Sequence, residues 1–191
     1  MDRTRTACAM TSSADVSDVA RVEPADRTIL AIDPGTTRSA WVLYDGGRPA
    51  RFDIWPNGDV LSWLRSGAPS GARWGKEGFV EPDVAVIEQV VSYGMAVGAE
   101  VFETVRWSGR FEEALHPTPV VLLPRMAVKM HLCGNSRAKD ANIRQALLDR
   151  FGGKAATGTK KAPGPLYGIH ADLWAALAVA VTYADLHGGA K

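Results

Sequence analysis

Two short apolar runs in this chain each end in a carboxylate: Thr28–Asp33 (TILAID) and Val84–Glu88 (VAVIE). A run of four or five apolar residues rich in Ile and Val reads as a strand buried on both faces, and such strands belong to sheets covered by helices. An acid at the end of the run stands where the chain leaves the sheet, which is where open α/β sheets place their ligands. The pair therefore predicts an α/β fold and, within it, the location of a polar site.

The segments between and around these runs fill in the architecture. Ser39–Tyr44 and Ala50–Ile54, joined at Asp45-Gly46-Gly47, predict two further strands and hence an antiparallel three-strand meander at the start of the sheet. Asp59–Leu64 has helical spacing, and 67–81 is a Gly- and Ser-containing stretch that reads as a surface loop. Ala96–His116 places Val101, Val105, Trp107, Phe111 and Leu115 at a helical rhythm, and Trp107 and Phe111 offer a contact surface for a second copy. Val120–Leu123 predicts a strand stopped by Pro124. Arg125–Leu132 and Ala138–Phe151 predict two helices parted at Gly134, and His170–His187 predicts a strongly apolar final helix. The sum is a mixed five-stranded sheet flanked by helices. Residues 27–187 are expected to form one domain, with 1–26 a disordered leader and 188–191 a flexible tail.

Composition excludes several classes. The longest apolar stretch, within Leu173–Tyr183, falls short of the roughly 20 residues needed to span a bilayer, so no membrane partner is expected. Cys8 and Cys133 are single and far apart, with no spacing suited to zinc or a disulfide framework, and a reducing cytoplasmic setting fits them. Charge is nearly balanced over the 191 residues, at +1, but it is segregated. Between Arg125 and Lys161 nine basic residues face two acids, a net of +7 that leaves the rest of the chain at −6. Such a stripe suits a polyanion held on one face, and it reads equally as a solvated helical surface.

Asp172 stands at the start of the last predicted helix, beside the small residues Ala175, Ala176 and Ala178. These would let the helix lie close on the sheet and bring Asp172 toward Asp33 and Glu88. Three converging carboxylates raise one another's pKa unless a cation offsets them, and Mg²⁺ or Mn²⁺ is the natural partner for an all-oxygen site. Two such ions can activate a water and stabilise a departing oxygen in phosphodiester cleavage.

Taken in order, Ile32-Asp33-Pro34-Gly35, the stretch from Pro82 through Glu88-Gln89-Val90, Pro124-Arg125 through Lys129 to Lys139, and the Asp172 helix resemble the RuvC-type Holliday-junction resolvases, and more narrowly their phage-encoded relatives. The resemblance spans most of Thr28–Tyr183. It implies an RNase H-like fold, a homodimer in a bacterial or host cytoplasm, and nicking of four-way or other branched DNA with two Mg²⁺ or Mn²⁺ ions and no organic cofactor. By position, Asp33, Glu88 and Asp172 match metal-binding acids, and Lys129 and Lys139 match lysines that lie along DNA and support cleavage. Arg125, Arg137 and Arg144 read as phosphate-facing or surface residues. Two positions depart from the family pattern. Ala175 stands where a further acid is usual, with His170 as a candidate substitute ligand. Val91 stands where an aromatic probes the junction centre, with Tyr93 close by.

Two other classes compete. Loss of the acid at Ala175 suits a junction-binding protein that does not cut. Asp33-Pro34-Gly35-Thr36-Thr37 also resembles the first phosphate-binding turn of actin-like ATPases and sugar kinases, although a second such turn and a second domain are missing.

Overall fold

The computed structural model describes residues 27–66, 81–92, 94 and 96–187. The expected leader and tail, nearly all of the 67–81 loop, and Tyr93 lie outside the described residues. Five strands form one sheet: β1 (Ile29–Asp33), β2 (Arg38–Asp45), β3 (Arg48–Pro56), β4 (Val84–Gln89) and β5 (Val120–Pro124). Their spatial order is β3-β2-β1-β4-β5. β1, β2 and β3 pair antiparallel through tight connections, whereas β1–β4 and β4–β5 pair parallel across helical crossovers. The sheet is thus the mixed, five-stranded RNase H-like arrangement that the sequence predicts.

Side-chain alternation divides the core into two layers. Leu30 and Ile32 of β1 and Ala85 and Ile87 of β4 face one side, where α1 (Asn57–Ser66) and α2 (Ala99–Ala114) cover them with Val60, Leu61, Trp63 and Phe111. Trp41, Trp55 and Trp63 pack together on this side, with ring centroids 4.8–5.5 Å apart, so these tryptophans serve packing. Ile29, Ala31, Val84 and Val86 face the other side, against α3 (Arg125–Cys133), α4 (Asp140–Arg150) and α5 (Leu173–His187). α5 is buried on almost every side, and its Ala176, Ala178 and Ala180 admit close approach to the strands.

Two expectations need correction. Phe111 is fully buried, so it offers no contact surface for a second copy, while Trp107 packs half-buried against the same layer; the exposed large apolar residues of α2 are Phe102 and Val105. The last helix begins at Leu173, not at His170. Gly168 and Ala171 both have positive φ, at 92° and 44°, and this pair of left-handed residues turns the chain before the helix can start. Among the described residues, no helix is long and apolar enough to cross a membrane.

Candidate active site

The register of β1 and β4 sets the centre of the site. Ile32 lies opposite Ile87, so one step further along the parallel strands Asp33 and Glu88 stand side by side at their carboxyl ends. Ile32 and Ile87 face the α1–α2 layer, and alternation therefore turns the two acids toward α5.

The turn after Asp33 is built to hold its shape. A Cβ on Gly35 would come within 2.2 Å of the Arg38 carbonyl oxygen, so only glycine fits there. Asn57, the first residue of α1 and fully buried, donates through Nδ2 to the Gly35 carbonyl at 2.9 Å. The buried Ser39 hydroxyl donates to Asn57 Oδ1 at 2.7 Å and accepts from the Gly35 amide at 3.3 Å. Two buried polar side chains thus find their partners in one another and in the turn that carries Asp33.

Three helices start at this end of the sheet. Arg125 opens α3 directly after β5, Asp140 opens α4, and Asp172 stands one residue before α5, its carbonyl accepting the Ala175 and Ala176 amides. Helix N-termini carry partial positive charge, which favours carboxylates beside them. The Arg125 guanidinium ties two of the acids together. Its Nη1 donates to both Glu88 oxygens, at 2.8 and 3.1 Å, and its Nη2 donates to Asp140 Oδ1 at 2.7 Å.

The electrostatics reflect this crowding. Burial, followed by the charge of Glu88, pushes the Asp33 carboxyl well above the usual carboxylate range; Asp172 and Asp140 push the same way, and Arg125 opposes them. Burial alone would ease the proton off Arg125, but Glu88 and Asp140 outweigh it and hold the guanidinium charged. Asp33 therefore senses three other carboxylates and one cation. Among the described residues, no three His, Cys, Asp or Glu side chains stand close enough to hold one metal ion together. The donor chemistry still suits a hard divalent cation: the groups are carboxylates, and Asp33 ionises against its neighbours for want of positive charge.

The other predicted residues spread outward from this centre. Lys129 lines an open groove of about 290 Å³ that begins at Glu88 and Arg125 and runs past Val90, Val91 and Ser136. Lys139 is exposed at the start of α4, one residue before Asp140, and Arg137 is exposed beside it. Arg144 lies 5.1 Å over the Trp174 ring. His170 is exposed, with Nδ1 2.7 Å from the Gly168 carbonyl, so its ring closes its own loop. Sequence reasoning missed Ser39, Asn57 and Asp140. Asn57 carried a usable signal, a polar residue opening a helix, and Asp140 carried another, an acid in the first turn of one.

No family model and no curated protein matches the chain. Solved structures do. A Thermus thermophilus RuvC structure is 20% identical over 82% of this chain and 93% of its own length, with a TM-score of 0.50. T. thermophilus RuvC in complex with Holliday junction substrate is also 20% identical, over 85% of this chain and 97% of its own, with a TM-score of 0.59. The chain has the RuvC fold. Within the RuvC fold as this sequence builds it, Asp33 and Glu88 occupy the ends of two central parallel strands, while Arg125, Asp140 and Asp172 come from the starts of the three helices that cover one face.

Proposed function

We propose that this chain is a divalent-metal-dependent endonuclease acting on branched DNA, with four-way junctions as its principal substrate. The observation that carries this reading is the Asp33 carboxyl at the carboxyl end of the sheet, side by side with Glu88 and held high by burial and then by Glu88, Asp172 and Asp140, in a fold shared with a RuvC seen on a Holliday junction. Asp33, Glu88 and Asp172 are the residues that would hold the ions. Bound Mg²⁺ or Mn²⁺ would supply an activated water and offset charge on the departing oxygen. The chain's own contribution is placement: the Gly35–Ser39–Asn57 clamp fixes Asp33, and the strand register fixes Glu88 beside it. Lys129, in the groove next to Glu88, and Lys139, Arg137 and Arg144, on and before α4, would track the phosphate backbone leading into the site.

Nicking of an end-labelled four-way junction in Mg²⁺ and in Mn²⁺ tests the reading. Asp33→Asn and Glu88→Gln should each reduce nicking to background while junction binding in EDTA stays within several-fold of wild type. Cutting retained by either variant would remove these acids from the site. One specific observation favours a second reading. Arg125 already engages Glu88, and no three-acid grouping is formed among the described residues, as suits a protein that binds junctions without cutting them. Tight junction binding with no nicking in either metal would select it.

A further inference from the structure

Arg125 stands where a cation on Glu88 would stand. Its Nη1 reaches both carboxylate oxygens, so it sits between the two lone-pair directions that a chelated ion would use. The Glu88 side chain is only 10% exposed, which leaves little room for a second approach. Nη2 is anchored at the same time on Asp140, so the guanidinium makes charge-assisted bonds to two carboxylates. A divalent ion on Glu88 and a guanidinium on the same carboxylate would lie within the width of that carboxylate, where like charges repel strongly. The arrangement in which Arg125 holds Glu88 is also one in which, among the described residues, no three acids are close enough to share an ion. Arg125 has somewhere to go: its side chain is 38% exposed and borders the groove that contains Lys129 and Ser136.

Resting on the reading of Asp33 and Glu88 as metal-holding acids, we infer that Arg125 is an exchangeable internal counter-cation that competes with the divalent ion for Glu88. In the metal-free protein it bridges Glu88 and Asp140 and offsets part of their charge. When an ion takes Glu88, the guanidinium is released into the groove, where a phosphate oxygen pair is its best new partner. Metal and a polyanion in the groove thereby assist each other, because each favours the state with Arg125 released, and the assistance is the same in both directions.

Mn²⁺ titration, with the free ion followed by electron paramagnetic resonance, tests this without reference to cutting. It is run on wild type, Arg125→Gln and Arg125→Lys, each with and without four-way junction DNA. Arg125→Gln should bind Mn²⁺ at least several-fold more tightly than wild type. Arg125→Lys keeps one charge but cannot span both carboxylates, so it should fall between them and provides the comparison if the glutamine variant fails to fold. Junction DNA should tighten Mn²⁺ binding by wild type more than by Arg125→Gln. Equal Mn²⁺ affinity in wild type and both variants would overturn the exchange while leaving the metal site standing, and so would weaker binding by the variants. Absence of Mn²⁺ binding in all three would overturn the metal reading and the exchange with it.

Discussion

The carboxyl of Asp33 is pushed up first by burial and then by Glu88, with Arg125 pulling against them. A group whose folded-state pKa lies above its unfolded value adds stability below the unfolded value and loses it as pH rises through the folded one. Ionised Asp33 therefore works against folding at neutral pH. Metal-free Asp33→Asn should melt a few degrees above wild type at pH 7, and the two midpoints should converge near about pH 3, where both side chains are neutral. Added Mn²⁺ should raise the wild-type midpoint and leave that of the variant nearly unmoved. Coincident melts at pH 7 would mean that the Asp33 carboxylate is comfortably solvated. Asp33 and Glu88 were legible in the sequence because an acid ending an apolar run is anomalous along one dimension. The role of Asp140 was not, because it exists only through Arg125, which reaches across 15 residues to Asp140 and 37 to Glu88. The Asn57 clamp on Gly35 spans 22 residues and is hidden in the same way.

The elements that carry the site are tied together at their far ends by a polar junction. Asp185 on α5 accepts from Arg150 on α4 at 2.8 Å and lies 2.7 Å from Nε2 of His131 on α3. Burial acts to raise the Asp185 carboxyl, but the hydrogen bonds and charges of Arg150 and His131 outweigh it and hold it below its ordinary value. Here the sign is reversed: the contribution is present above the unfolded value and is lost as pH falls through the folded one. Asp185→Asn should cost about 1–3 kcal/mol at pH 7, measured by urea unfolding, since it weakens charge-assisted bonds to two helices. Wild type should lose that margin as pH falls below about 4, and the variant should show a shallower dependence over the same window. Parallel pH profiles would show that the three helices are held by apolar packing alone. The helices themselves were read correctly from periodicity, since α3, α4 and α5 bury a face or more. Their starts were less legible. α5 opens late because Ala171 takes a left-handed conformation that no local pattern announces, and α2 opens at Ala99, three residues inside the expected span.

At the scale of the molecule, the sheet separates two jobs. The acids, Arg125 and the groove lie with α3, α4 and α5, while the opposite layer is closed by α1 and α2. This division could be expected from strands alternating with helices, because parallel crossovers place helices on both faces. What the sequence could not show is which side of α2 would be left open. Its three large aromatic side chains part company: the sheet claims Phe111 completely, Trp107 is half-buried, and Phe102, 65% exposed, is left in solvent together with Val105, 48% exposed. Three positions apart, they share one side of the helix. A junction with twofold symmetry is met most simply by a protein with the same symmetry, whose interface uses one patch on both copies. We therefore expect the protein to be a dimer joined along α2. Light scattering should give the mass of two chains for wild type and of one for Phe102→Glu combined with Val105→Glu. The fold should be intact in that variant, because neither residue belongs to the buried core. On a four-way junction, wild type should nick opposing strands as a pair, and the monomeric variant should yield single nicks with weaker binding. A wild-type protein that scatters as a single chain, both free and on the junction, would refute pairing along this helix.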